Sequence, residues 1–159
     1  DGRFYRFRDA VCAPRPLQPR VPILVGGSGP RKTLPLVARH ADLWNAYGTP
    51  AELATHDANL RAACEAVGRD DGEIERTTCL NVVIRGTRPA AERAWDEWLR
   101  RHPPQAGEEV LAAGGTVEAV AAALAAYREI GFDHPVLIFR SPWDLETIDR
   151  LPELRAALA

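Results

Sequence analysis

A short apolar run, VPILV, passes without a break into four residues that carry almost no side chain, Gly26-Gly27-Ser28-Gly29. Immediately beyond, Leu34, Val37, Ala38 and Ala41 recur at i, i+3, i+4 and i+7, the apolar face of a helix. A continuous apolar run bounded by Pro and Gly predicts a strand buried on both faces, which belongs in a parallel sheet covered by helices. Pro35 fits a helix only in its first turn, where a missing N–H costs nothing. The helix is therefore expected to start between about Pro30 and Thr33, directly after the glycines.

The same unit repeats along the chain. ADLWNAYG is a second short strand, and Thr49-Pro50 opens a helix with Leu53, Leu60, Ala63, Cys64 and Val67 on one side, closed by Gly68. TTCLNVVIRG is a third buried strand. Thr87 and Pro89 open a helix whose face is Ala91, Trp95, Trp98 and Leu99, stopped by Pro103-Pro104. Gly115-Thr116 then opens a helix through Val117, Val120, Ala121 and Leu124. HPVLIF is the fourth strand, and a closing helix from about Pro142 to Ala159 is interrupted at Pro152. Ahead of all this, RFYRFR alternates like a half-exposed strand, and Pro14, Pro16, Pro19 and Pro22 mark an extended connector.

Regular strand–helix alternation predicts an α/β fold with a parallel sheet and right-handed crossovers. Two architectures compete, an open doubly wound sheet and a piece of a (β/α)8 TIM barrel. A complete barrel needs roughly 250 residues, and this chain of 159 residues has no Met and opens on Asp1. We therefore expect one segment, residues 1–159, forming roughly the C-terminal half of a barrel in a longer protein. Residues 1–21 would be its extended, Pro-rich lead-in and residues 22–159 its βα units.

Charge excludes some partners. Twenty basic and 22 acidic residues give a net charge of -2 with no large block of either sign, so neither a nucleic-acid nor an anionic membrane surface is expected. No apolar run approaches a membrane span. Three distant cysteines, Cys12, Cys64 and Cys79, fit reduced packing thiols in a cytoplasmic protein. His40, His56, His102 and His134 lack metal-ligand spacing, so no metal is expected. Neither Asp70-Asp71 nor Glu108-Glu109 has the setting of a catalytic carboxylate pair.

The stretch GGSGPRKT nearly spells a P-loop, but Arg31 stands where the second glycine must be and Pro30 removes a donor. A nucleoside-triphosphate loop fails on that residue. A simpler phosphate site survives: the glycines sit between a strand end and a helix N-terminus, where free N–H groups and the positive end of the helix dipole gather. Ser28 can add a hydroxyl, and Arg31 or Lys32 a positive charge. A tight turn that binds nothing is the other reading of the same residues.

PRPLQPRVPILVGGSGPRKTLPLVARHADLWNAYGTP strongly resembles the luciferase-like monooxygenase superfamily, especially its deazaflavin (F420)-dependent branch. AACEAVGRDDGEIERT and GGTVEAVAAALAAYREIGFDHPVLIF are similar to later segments of that family, in family order. The resemblance implies a (β/α)8 barrel that binds FMN or coenzyme F420 at the C-terminal ends of its strands, and an oxidoreductase working on a small molecule by hydride transfer. It implies that Gly26, Gly27, Ser28 and Gly29 contribute to the cofactor phosphate site. In such a barrel Asn45 would lie beside the glycines, able to bond phosphate or ribityl oxygens, or else to cap a turn. Arg140, ending the fourth strand, could neutralise a phosphate or a substrate carboxylate, or make a surface ion pair. No residue stands out as a general acid or base. The absent partner would be the N-terminal half of the barrel, without which the chain is expected to form homo-oligomers. A self-contained phosphate- or nucleotide-binding module is the alternative, and it should cover its sheet edges.

Overall fold

A computed structural model describes residues 2–104 and 112–159. Strand β1 (Leu24–Gly26) leads to α1 (Thr33–His40), β2 (Leu43–Asn45) to α2 (Pro50–Glu65), and β3 (Glu75–Ile84) to α3 (Arg88–Arg101). Strand β4 (Ala112–Gly115) leads to α4 (Val117–Arg128), and β5 (His134–Ile138) to two short helices, α5 (Leu145–Asp149) and α6 (Leu151–Ala157). Every strand pair is parallel.

The long strand β3 organises the sheet. It takes β2 along its start (Leu43↔Glu75 to Asn45↔Thr77), β5 along its middle (Thr77↔His134 to Asn81↔Ile138) and β4 along its end (Asn81↔Ala112 to Ile84↔Gly115). The Thr77 carbonyl accepts from Ala46 N–H, and Arg85 N–H donates to the Gly115 carbonyl. Residues of equal parity turn their backbone groups to the same side, so β4 continues the edge that β2 began. On the opposite edge, beyond β5, the Ile84 N–H finds the Thr147 hydroxyl at 2.9 Å.

Alternation also sorts the two faces. Leu80, Val82 and Ile84 of β3 join Trp44, Leu34, Val37, Leu53, Leu60, Val120, Leu124 and Phe132 in the core beneath the helices. Burying each of these large side chains is worth about 1.5–3 kcal/mol. Thr77, Cys79 and Asn81 have the other parity and lie on the opposite, inner face with Asn45. At the start of β3 an ionic cluster, buried at Arg76 and Asp57, ties the strand to α2. Arg76 Nε donates to Asp57 at 2.9 Å and Arg76 also pairs with Asp71, while Asp57 accepts from Arg61 at 2.7 Å.

Four sequence expectations need correction. The stretch RFYRFR forms no strand; Phe4, Tyr5 and Phe7 are exposed, because alternation supplies an apolar face but no partner. Among the described residues the sheet has five strands rather than four. The added one, β4, is AAGG, a sequence without β-branched or aromatic signal that becomes a strand only by pairing with β3. The strand after the Pro-rich connector is not buried on both faces: Leu24 is 52% exposed because β1 has β2 as its single neighbour among the described residues. The closing helix is two helices, and Pro152 opens the second rather than breaking the first.

Candidate cofactor site

Strand β2 fixes the shape of the glycine turn. Gly27 has φ +108°, a conformation that L side chains rarely adopt. Its N–H donates to the Asn45 carbonyl at 2.9 Å, and its carbonyl accepts from the Trp44 indole Nε1 at 2.8 Å. Trp44 is itself fully buried, 5.6 Å from the Phe132 ring. The Gly29 carbonyl accepts from Thr33 N–H and Leu34 N–H at 3.0 and 3.1 Å, and a Cβ on Gly29 would stand 3.2 Å from Thr33 Oγ1. Internal packing thus explains Gly27 and Gly29. Gly26 is different: a Cβ there would meet nothing within 4 Å. Open space at a glycine that the fold does not need leaves room for another molecule to approach the backbone.

The start of α1 is electrically unbalanced. Lys32 occupies the N-cap without a side-chain cap bond, and no acidic residue lies in the first turn. Among the described residues, Ser28, Gly29, Arg31 and Lys32 have no protein acceptor for their N–H groups. Arg31 and Lys32 are exposed and have no carboxylate partner among the described residues. Positive charge at a helix N-terminus opposes the dipole by about 0.3–1 kcal/mol, and an anion there would reverse the sign. Helix α2 shows the usual remedy: Thr49 accepts from Glu52 N–H, and the Glu52 carboxylate accepts from Thr49 N–H at 2.7 Å. That bond, with help from the Thr49 hydroxyl, holds the Glu52 carboxyl below its ordinary value.

A second group gathers on the inner face. The Asn45 amide Nδ2 donates to Thr77 Oγ1 at 2.7 Å and lies 3.4 Å from Cys79 Sγ. The neighbouring Cys79 thiol pushes the Tyr47 phenol above its ordinary value, with desolvation adding to the shift and Arg140 pulling the other way, although Tyr47 is 59% exposed. Sequence reasoning missed Tyr47, Thr77 and Cys79. Parity was the available signal, since Thr77 and Cys79 share the face of Asn81, but which strand end faces them depends on register.

The sequence candidates divide accordingly. Gly26, Gly27, Ser28, Gly29, Arg31, Lys32 and Asn45 come together, Gly26 being in register with Asn45. Asn45 is 8% exposed and its amide nitrogen is engaged within the protein. Arg140 lies apart, two residues beyond β5, with its guanidinium carbon 5.6 Å from the Trp98 ring centroid. Trp95 and Trp98 are only half-buried and stack at 4.8 Å. His134 bonds Glu75 where β3 and β5 begin. Asp70 caps Gly72 N–H and Asp71 pairs with Arg76, so that pair is structural. Glu108 and Glu109 lie outside the described residues. No group of three or more His, Cys, Asp or Glu could hold a metal among the described residues, and no described helix is long and apolar enough to cross a membrane.

One family model, luciferase-like monooxygenase, matches residues 1–112. The chain belongs to the luciferase-like monooxygenase family. Pyrimidine monooxygenase RutA of Cronobacter sakazakii is 32% identical to it over 101 residues, 61% of this chain and 28% of that protein. Among solved structures it is similar to an F420-dependent secondary alcohol dehydrogenase in complex with an F420–acetone adduct. That likeness has a TM-score of 0.74 at 17% identity, over 100% of this chain and 55% of the other. EDTA monooxygenase (EmoA) from Chelativorans sp. BNC1 gives 0.73 at 15% identity, over 99% and 49%. The chain spans about a quarter of the length of the curated relatives it matches and about half that of these structures. The fold is α/β of the luciferase-like TIM-barrel type, covered in part, which decides between the two architectures left open by the sequence.

Proposed function

We propose that this chain is the C-terminal half of a (β/α)8 oxidoreductase and anchors the phosphate of a flavin-type cofactor, FMN or coenzyme F420, in the turn Gly26–Gly29. One observation carries the reading: a fixed glycine turn presents unpaired N–H groups at an uncapped, positively flanked helix N-terminus, beside open space at Gly26. Ser28, Gly29, Arg31 and Lys32 would bind the phosphate through their N–H groups. The Arg31 and Lys32 side chains would supply charge, and Asn45, held by Thr77, would steady the turn from β2. When bound, the cofactor supplies the hydride chemistry, and the protein supplies anchoring, orientation and a shaped cavity for a small-molecule substrate. The oxidoreductase reading draws on the family and on the F420–acetone adduct that the similar alcohol dehydrogenase holds. Cys12, Cys64 and Cys79 are free thiols, which accords with a cytoplasmic setting.

The sheet edges favour this reading over a self-contained phosphate-binding module. Among the described residues β1 pairs only with β2, and β5 only with β3. Ile23, Leu24 and Val136 are exposed along these edges, where an independent domain would place cover or charge. An N-terminal half would supply the neighbouring strands.

Fluorescence titration of this chain, and of the longer protein that carries it, with FMN and with coenzyme F420 tests the proposal. Gly27→Asp and Gly26→Val serve as controls. Gly26→Val fills open space without straining the turn, so it should fold and yet weaken binding at least tenfold. Unchanged affinity in both variants, or no binding by the longer protein, would overturn the phosphate role.

A further inference from the structure

A cavity of about 500 Å3 opens between α3, β4 and the start of α4. Its aromatic wall is Trp95, which stacks on Trp98 with ring centroids 4.8 Å apart and planes 8° apart. Among the described residues Trp95 has no second ring partner, so the indole face away from Trp98 is open. The formal charges in the lining cancel, since Arg88 Nε bonds the Glu92 carboxylate at 2.9 Å. Strand β4 supplies polar groups of another kind. Gly115 turns to β3, where its carbonyl accepts from Arg85 N–H at 2.9 Å. Backbone groups alternate along a strand, so Ala113 also turns to β3, while the N–H and C=O groups of Ala112 and Gly114 point away from it. Strand β4 pairs only with β3 among the described residues, which leaves the Ala112 carbonyl and the Gly114 N–H without a ladder partner. Ala112 and Gly114 line the cavity, whereas Ala113 between them belongs to the core. The fold dictates Gly115, with φ +152° and a Cβ position 2.8 Å from Ala119 Cβ. It does not dictate Gly114, where the nearest atom to a Cβ is the Val83 carbonyl oxygen at 3.8 Å. Another molecule can therefore come close to the backbone at Gly114.

We infer that this cavity binds an uncharged planar heterocycle that carries an N–H and a C=O side by side, as a lactam does. The ring extends the Trp98–Trp95 stack on its open face. Its N–H donates to the Ala112 carbonyl, and its carbonyl accepts from the Gly114 N–H. A C=O and the N–H two residues on, pointing the same way from a strand, are the groups an added strand would bond. A lactam edge offers the matching donor and acceptor in one rigid piece. A volume of about 500 Å3 falls within the usual range of ligand sites, roughly 300–1,000 Å3, and admits two fused rings. Because Arg88 and Glu92 satisfy each other, the lining has no spare charge for an ion to meet. The site is built from α3, β4 and α4, apart from the turn between β1 and α1, and it stands whether or not that turn holds a cofactor.

The probes are 2-quinolone and 1-methyl-2-quinolone, which differ in the lactam N–H, titrated into the cofactor-free chain and followed by tryptophan quenching and amide 1H–15N spectra. The first should bind saturably, at least about tenfold more tightly than the second, and should move the Gly114 amide. Trp95→Leu should weaken both probes and keep the preference between them. Gly114→Val fills the open space with a residue that suits a strand, so it should keep the far-ultraviolet circular dichroism of the parent and weaken 2-quinolone at least about tenfold. No saturable binding, equal affinity for the two probes, or a Gly114 amide that stays in place would each overturn the inference, and all three are read on the unaltered chain. Gly26→Val should leave 2-quinolone binding intact, so failure of the glycine-turn reading and failure of this one are told apart.

Discussion

At the scale of single residues, the glycine turn is held by one indole and one strained backbone. Trp44 donates to the Gly27 carbonyl from within the core. Trp44→Phe keeps the ring and deletes that donor, so chemical denaturation should report a loss of about 1 kcal/mol, together with weaker cofactor binding. A stability loss with affinity unchanged would mean that the latch serves packing only. Gly27→Ala forces a side chain into φ +108° and should cost about 1–3 kcal/mol. Much of this was legible beforehand: the strand–glycine–helix order named the turn, and Arg31 visibly broke the P-loop pattern. Tyr47 and Cys79 were not legible. They meet only because Asn45 is in register with Thr77, and no pattern along the chain encodes the register of two strands separated by a helix.

At the scale of elements, two polar ties decide how helices sit on the sheet. Arg76 and Asp57 are 9% and 5% exposed and bind each other beneath α2. Asp57→Ala would leave a buried guanidinium short of a partner and should destabilise by about 3–5 kcal/mol, whereas Asp57→Leu with Arg76→Met should recover most of that loss. Denaturation midpoints of the single and double variants would separate a stabilising pair from one that merely tolerates burial. The second tie is Asp144 at the start of α5. Burial works against its charge, but bonds from Thr147 at 2.6 and 3.2 Å and from Arg85 at 3.0 Å outweigh it and hold the carboxyl below its ordinary value. A depressed folded-state pKa gives stability that is present above the unfolded value, about 3.9. That stability is lost as pH falls through the folded value. Asp144→Asn should therefore flatten the acid limb of the stability curve below about pH 4, measured by urea unfolding across that range. The same scale shows why β4 escaped notice. Ala112-Ala113-Gly114-Gly115 carries no strand propensity, and its pairing with the end of β3 is supplied by the sheet.

At the scale of the whole molecule, alternation of strands and helices made the parallel sheet and its crossovers legible, since each buried run was bounded by Pro, Gly or a cap. The exposure of β1 was not. Burial of a strand depends on both neighbours, and its own composition speaks for one that would be covered on each side. The strands β1 and β5, each with a single partner among the described residues, carry a consequence for solution behaviour. In sedimentation velocity the chain should self-associate, and Leu24→Lys should reduce that association by placing a charge on the open edge. A monodisperse monomer with one cooperative unfolding transition would count against the half-barrel account.

The central claim is that a cofactor phosphate sits on the free N–H groups between β1 and α1. Amide 1H–15N spectra recorded with FMN, with coenzyme F420 and with phosphate-free riboflavin test it most directly. The Ser28, Gly29, Arg31 and Lys32 amides should move with the phosphate-bearing cofactor that belongs here and stay in place with riboflavin. Equal shifts with riboflavin, or shifts confined to residues away from this turn, would contradict it.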